Sequence, residues 1–291
     1  MIELANVGLR GRGRGRPRLR AVSMQLLPGH VYGLIGPNGA GKSSLLSVIA
    51  GFTPVTSGAL RGTPWQRGEP VGAVFSDVPM HSGRTVRETL TLRSLYVGVD
   101  KAVVPEAARR VGLHSALGRR VGSLSLGMKM RLSIGVALLG SPSLVLLDEP
   151  MNGLDPNGIA WMRGVIAALK RDGATVIVSS HLLGELEALI DTAIVVSQGV
   201  IAWIEPVNGV GKTACRIEVN DPGVLSRALA ERCISVTTTA RTLNVDAPPP
   251  EVIRLAVSIG LEVFRAAPAA RTLEDLYVTV SSAEFESEVR R

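Results

Sequence analysis

The segment Gly36-Pro-Asn-Gly-Ala-Gly-Lys-Ser43 decides how the chain folds, because it matches the pattern G-x-x-x-x-G-K-[ST] in full. The apolar run Val31–Ile35 precedes it and predicts a buried strand, and apolar residues at helical spacing follow it until Gly51. Glycines let the backbone curl so that successive N–H groups face phosphate oxygens, and the dipole of the following helix favours the same anion. Strand, glycine turn and helix together predict a phosphate-binding unit of an α/β protein.

Each residue of this phosphate loop has an expected role in nucleotide binding. The ammonium of Lys42 should reach the β- and γ-phosphates, and the hydroxyl of Ser43 should be a ligand of Mg²⁺. We expect the nucleotide to be bound by Gly36, Pro37, Asn38, Gly39, Ala40, Gly41, Lys42, Ser43 and Ser44.

Two carboxylates, Asp148 and Glu149, follow the apolar run Leu144–Leu147. A strand end beside the phosphate loop is where Mg²⁺ needs an oxygen ligand, so Asp148 is the predicted metal ligand. Glu149 should then orient and polarise the attacking water, and general-base assistance typically gives about 10²–10⁴-fold in rate. His181 follows the predicted strand 175–179, and a strand end at the same sheet edge favours a contact with the γ-phosphate. The predicted catalytic residues are Glu149, His181 and Lys42.

Predicted strands and helices alternate along residues 1–205, which indicates a largely parallel sheet. Residues 85–122 have helical spacing without a strand-like run, and we place a helical subdomain at about 77–140. After a break rich in proline and glycine, short alternating strands and a last helix from Thr272 predict a small α+β domain at 206–291.

The composition excludes some classes of protein. The chain has 291 residues and is 46% hydrophobic, yet no run reaches the ~18 apolar residues that cross a bilayer. The charged, glycine-rich amino terminus does not resemble a signal peptide, so we expect a cytoplasmic chain. Cys215 and Cys233 are too few for a disulfide framework or a zinc site. The net charge of +7 permits nucleic acid, acidic partners or anionic lipid and selects none of them.

Three further motifs resemble those of the ATP-binding cassette (ABC) ATPase family and occur in the family's order. Leu124-Ser-Leu-Gly-Met128 resembles the signature motif, Asn152-Gly-Leu-Asp155 resembles the D-loop, and Ser180-His181 resembles the switch histidine. The resemblance covers residues 2 to about 205. It implies a phosphate-loop NTPase with a mainly parallel sheet core, an antiparallel β subdomain and a helical subdomain, and hydrolysis of ATP with Mg²⁺ as cofactor.

The resemblance also implies that two cassettes close head to tail around ATP, most simply as a homodimer. Ser125 and Gly127 of one copy would then contact the γ-phosphate bound by the other, and Asp155 would lie at the interface between the copies. Ser125, Gly127 and Asp155 therefore join the expected ATP-binding residues.

The amino-acid sequences of the signature motif and of residues 147–156 resemble those of the ATPase subunits of bacterial drug- and antibiotic-resistance exporters. Residues 272–277 resemble the tail of such subunits, and the same residues also fit an ordinary amphipathic helix. This resemblance implies a separate multi-span membrane permease, contacted around residues 76–93, and a peripheral location on the cytoplasmic face of the membrane. The alternative is a soluble ABC ATPase acting on nucleic acid or the ribosome. A single phosphate loop and the absence of heptads argue against it, and we expect no nucleic-acid partner.

The sequence departs from the family pattern at two places. The family usually has Gln where this chain has Ser76, so Ser76 is a predicted metal ligand of shorter reach, with Asp77 or a water as a substitute. The family also usually stacks adenine on an aromatic residue in the loop before Leu19, whereas in this chain that loop is Arg10-Gly-Arg-Gly-Arg-Gly-Arg16 and has no aromatic residue. One arginine could cover the base by a cation–π contact of about 0.5–2 kcal/mol. For the whole run of alternating arginines at 10–20, a solvated loop, a role near ATP or anionic lipid headgroups, and nucleic-acid binding are the alternatives.

Overall fold

The computed structural model describes residues 1–11, 17–75, 80–180, 183–207, 214–232, 234–239 and 242–269. The chain divides into two compact units, the first over Met1–Ile204 and the second from Glu205 onward. In the described segments no helix is both long enough and apolar enough to cross a bilayer. Four predicted features lie outside the described residues: Arg12 to Arg16, Ser76 with Asp77, His181, and the helix from Thr272.

Strands and helices alternate in the first unit. Up to residue 206 the strands are β1 (Ile2–Leu9), β2 (Leu19–Leu26), β3 (Val31–Ile35), β4 (Ser57–Arg61), β5 (Gly72–Val74), β6 (Leu144–Asp148), β7 (Thr175–Ser179), β8 (Thr192–Ser197) and β9 (Val200–Pro206). The helices are α1 (Lys42–Ile49), α2 (Val86–Tyr96), α3 (Val104–Arg110), α4 (Leu126–Leu138), α5 (Pro156–Arg171) and α6 (Leu183–Glu187).

The central sheet has the strand order β5-β6-β7-β3-β8-β9, and the pairings from β5 through β8 are parallel. Strands β3, β6 and β7 are buried at every position, which explains why they are continuous apolar runs. The predicted parallel sheet is therefore confirmed. Because parallel strands end at the same edge, the residues that follow β3, β6 and β7 share one edge of the sheet.

Two smaller parts complete the first unit. Strands β2, β1 and β4 form an antiparallel sheet, and β2 alternates between buried and exposed residues over most of its length. Helices α2 to α4 occupy the predicted helical region. The helical spacing at 85–122 is not one continuous helix, because Gly98 (φ +71°) and Gly112 (φ +70°) follow α2 and α3 in left-handed conformation.

The second unit contains the elements β10 (Ala214–Val219), α7 (Pro222–Ala230), β11 (Val236–Thr239), β12 (Thr242–Val245), α8 (Pro249–Ser258) and β13 (Val263–Ala269). Its antiparallel sheet has the order β11-β12-β10-β13, which with the chain order β-α-β-β-α-β is a ferredoxin-like arrangement. Cys215, Ile217 and Val219 of β10 are buried in the core with residues of α7 and α8. The predicted α+β class is confirmed, although the sequence had not indicated α7 or β13.

Candidate nucleotide-binding site

The phosphate loop joins β3 to α1 in a conformation that only glycine allows at several positions. Gly39 and Gly41 have φ values of +83° and +111°. A Cβ atom on Gly36 would lie 2.2 Å from the Val196 carbonyl oxygen, and one on Gly41 would lie 2.8 Å from the Arg18 carbonyl oxygen. The glycines are therefore required both for the turn and for close packing, and the loop leads directly into the amino terminus of α1.

Lys42 begins α1, and its side chain is only 7% exposed. Its Nζ atom donates hydrogen bonds to the carbonyl oxygens of Gly36 (2.7 Å) and Pro37 (3.3 Å), and it lies 3.9 Å from Oε1 of Glu149. A buried ammonium needs such partners, because desolvation without them is costly. The cation is thus held between the loop and the carboxylate that follows β6.

The acidic pair is fixed by Ser179, the last residue of the neighbouring strand β7. The Ser179 hydroxyl donates to Oδ1 of Asp148 (2.6 Å) and accepts a hydrogen bond from the backbone N–H of Glu149 (2.9 Å). Glu149 has φ +51°, a conformation that costs free energy for a residue with a side chain and is typical of functional sites. Ser179 was not among the predicted site residues. Its signal in the sequence is a small polar residue at the end of a fully buried strand.

One cavity of about 750 Å³ brings the phosphate loop and the acidic pair together. Gly36 and Ala40 are not among its lining residues: the Gly36 carbonyl accepts from Lys42, and the buried Ala40 accepts a hydrogen bond from the N–H of Gly199. The cavity is lined by Pro17, Arg18, Arg20, Pro37, Asn38, Gly39, Gly41, Lys42, Ser43, Ser44, Asp148, Glu149, Gln198 and Gly199.

Comparisons with known proteins decide the family. A family model described as ABC transporter matches residues 19–152. The lantibiotic transport ATP-binding protein SrtF of Streptococcus pyogenes is 38% identical over 60% of this chain and 79% of its own length. The uncharacterized ABC transporter ATP-binding protein YdbJ of Bacillus subtilis is 32% identical over 92% of both chains. The chain belongs to the ABC transporter ATP-binding proteins. It is therefore the ATP-binding subunit of an ABC transporter and an ATPase, as the motifs predicted.

Solved ABC cassettes share the fold of this ABC ATPase. The structure of an ATP-binding subunit of an ABC transporter matches 72% of the chain with a TM-score of 0.65 and 25% identity. A dimeric cassette bound to ADP and Pi matches 71% with a TM-score of 0.66 and 22% identity. The predicted cassette fold is confirmed.

The residues predicted to form the signature motif and the D-loop do not line the phosphate-loop cavity in the described part of the chain. Ser125, Gly127 and Asp155 are absent from the described lining of that cavity. Ser125 is exposed and caps α4 by accepting a hydrogen bond from Met128, and the next residue, Leu126, is 60% exposed. Asp155 caps α5 through Gly158 (2.7 Å). Ser125 and Leu126 at the start of α4 are thus exposed in the described part of the chain.

The oxygen atoms at this edge suit a Mg²⁺ ion. Asp148 is 2% exposed, and it lines the same cavity as Ser43. Hard oxygen ligands are what Mg²⁺ prefers, and this ion commonly takes one or two protein ligands with phosphate and water oxygens completing the octahedron. The residues present therefore fit the ion.

Proposed function

We propose that this ABC ATPase drives export of an antibiotic or another hydrophobic compound through a separate multi-span permease. The names of relatives support the exporter assignment: SrtF is a lantibiotic transport protein, and the bacitracin transport ATP-binding protein BcrA of Enterococcus faecalis is 31% identical over 88% of this chain. The observation that carries the ATPase chemistry is the cavity that Lys42 and Glu149 both line. In it, Nζ of Lys42 lies 3.9 Å from Oε1 of Glu149.

The chemistry that we propose uses the groups in this cavity. Lys42 leaves its carbonyl partners for the β- and γ-phosphates of ATP, and Glu149 orients the attacking water and accepts its proton. Ser179 is a positioning residue, because its hydroxyl holds both Asp148 and the Glu149 backbone. Mg²⁺, when bound through Ser43 and Asp148, would neutralise phosphate charge. By resemblance, Ser76 and His181 would act on the metal and the γ-phosphate.

A second cassette completes the proposed site. Ser125 and Gly127 are separate from the cavity of their own copy and lie at an exposed helix amino terminus, which favours an anion. A head-to-tail homodimer would place this helix end against the γ-phosphate of the other copy, with Asp155 near the interface.

We assign ATP binding to residues 1–205, with the helical subdomain at about 77–140, and an accessory role to residues 206–291. The permease would dock on the helical subdomain at the cytoplasmic face of the membrane. Three large apolar side chains of α2 support this surface: Leu92, Leu95 and Tyr96 are 50%, 65% and 81% exposed. Apolar groups clustered on one exposed helix commonly mark an interaction site.

The test is affinity purification of the tagged chain from gently solubilised host membranes, followed by mass spectrometry. We expect stoichiometric recovery of a multi-span membrane protein from the wild type and its loss from Leu95→Glu, with ATPase activity retained. Val257→Glu is the matched control, because Val257 is similarly exposed (61%) but lies on α8 of the second unit. Recovery of ribosomes or DNA in place of a membrane protein would favour the soluble alternative.

A further inference from the structure

The nucleotide cavity continues beyond the phosphate loop to a second wall. This wall is formed by Arg18, which precedes β2, by Arg20 in β2, and by the turn Gln198–Gly199 between β8 and β9. The Arg20 N–H donates to the Gly199 carbonyl (2.7 Å), and the Arg20 Nε donates to the Gln198 carbonyl (3.1 Å). The guanidinium of Arg20 is therefore held through its Nε atom, and the side chain remains exposed where Arg20 lines the cavity.

This wall is rigidly joined to the phosphate loop. The Gly199 N–H donates to the Ala40 carbonyl (2.8 Å). A Cβ atom on Gly199 would lie 2.7 Å from the Arg18 carbonyl oxygen, the same oxygen that excludes a Cβ atom from Gly41. The backbone at Arg18 is thus packed between the loop and the turn, which fixes its position relative to the phosphate loop.

A nucleotide whose triphosphate lies on the loop has to direct its base toward another part of the cavity. No Phe, Trp or Tyr occurs before Tyr32 in the sequence, and none lines the described part of the cavity. Among the described lining residues, those that carry a planar cationic group are Arg18 and Arg20. Arginine stacks on π faces, and restraint of its side chain lowers the entropy lost when it does so.

We propose that Arg20, assisted by Arg18, is the platform on which the nucleobase stacks. This assignment rests on the proposed nucleotide site and adds to it a consequence for specificity. A guanidinium stacked on the face of a base does not contact the edge atoms that distinguish adenine from guanine, and every base has a π face. The chain therefore binds ATP and GTP with similar affinity, and the arginine platform contributes equally to both.

The experiment measures Kd for ATP, GTP and inorganic tripolyphosphate, which has no base. In Arg20→Ala we expect the Kd for ATP and for GTP to rise together by roughly 2- to 30-fold, the range of a cation–π contact, with a larger rise when Arg18→Ala is added. The Kd for tripolyphosphate should not change. Arg61→Ala removes the same charge from an exposed residue of β4 outside the cavity and should change none of the three.

Two further variants separate stacking from charge. Arg20→Trp should restore ATP and GTP affinity, which also shows that the variant site is folded, whereas Arg20→Lys keeps the charge without a planar face and should restore less of the affinity. An equal loss of tripolyphosphate affinity would overturn the proposal in favour of a contact with phosphate, and a loss confined to GTP would overturn it in favour of an edge contact. Unchanged ATP affinity would also overturn it. A wild type that binds none of the three would instead refute the nucleotide site itself.

Discussion

The phosphate-loop edge and the ferredoxin-like unit are built by different kinds of constraint. At the loop, Gly41 cannot carry a Cβ atom and Glu149 has a left-handed φ of +51°, so individual residue types are required. In the second unit, Ile217 and Leu229 are buried by simple alternation and helical spacing, which many sequences satisfy. At the nucleotide site the strained and glycine-only positions accompany chemical groups, whereas the periodic apolar positions of the second unit indicate only a core. In the first unit the motif residues of the sequence therefore indicate a function. In the second unit the apolar periodicity indicates only the α+β class.

The largest expected effect concerns Glu149. Glu149→Gln keeps the shape of the side chain and removes the base, so we expect ATP hydrolysis to fall by about 10²–10⁴-fold while ATP affinity is retained. Phosphate release and equilibrium ATP binding measure the two quantities. Glu251→Gln, the same change at an exposed position of α8, should alter neither. Normal turnover in Glu149→Gln would remove the proposed base from the mechanism.

A core substitution sharpens the contrast between the two units. Leu229→Ala in α7 removes a side chain that is 0% exposed and should destabilise the second unit by about 2–5 kcal/mol. Chemical denaturation should show this loss while ATP affinity persists. Leu146→Ala, two residues before Asp148 in β6 and equally buried, should lower both stability and ATP affinity. Loss of ATP binding in Leu229→Ala would contradict the separate roles of the units.

Lys42→Ala should weaken ATP binding because it removes the cation at the loop. A hydrogen bond to a charged group contributes about 1.5–3 kcal/mol, so the Kd for ATP should rise by roughly 10- to 150-fold. Titration with a fluorescent ATP analogue checks the value. Lys101→Ala, a lysine of the helical subdomain outside the cavity, is the matched control. Wild-type affinity in Lys42→Ala would mean that the ammonium stays with its carbonyl partners when nucleotide binds.

The smallest expected effect concerns Asp191, which accepts hydrogen bonds from Lys170 of α5 and from the Val31 N–H at the start of β3. Burial raises the pKa of Asp191, but these two donors outweigh it and the pKa lies below the ordinary value of 3.8. A lowered folded-state pKa means that the stabilisation is complete above the unfolded-state pKa and is lost as pH falls below it. Asp191→Asn should therefore lower the free energy of unfolding by about 0.5–1 kcal/mol at pH 7.

Denaturation at two pH values checks this prediction. The difference in free energy of unfolding between wild type and Asp191→Asn should be complete at pH 7 and should shrink below about pH 4. A difference that does not change with pH would show that the carboxylate charge is not what stabilises the contact. ATP affinity should be the same in both proteins, because Asp191 does not line the cavity.

Much of the first unit was predictable from sequence because its motifs leave few choices. The phosphate loop, Asp148 and Glu149 were placed correctly at one sheet edge, since parallel strands bring their carboxyl ends together. Ser179 was missed because its contacts depend on the strand register with β6, which sequence alone does not reveal. In the second unit α7 was missed because its opening Pro222-Gly223 resembles a turn, and β13 was missed because it is rich in alanine and contains Pro268. The parts played by Ser76 and His181 remain predictions.

The central claim is that the nucleotide site of one copy is completed by Ser125 of another. The most direct measurement is light scattering of Glu149→Gln, which should hold bound ATP, with and without Mg-ATP. We predict a monomer without nucleotide, a dimer with Mg-ATP, and a monomer under both conditions when Ser125→Arg is added, because a bulky side chain at the exposed start of α4 would block the approach. A Glu149→Gln protein that stays monomeric at saturating ATP would contradict the account. So would a dimer that forms with or without ATP and with or without the Ser125 substitution.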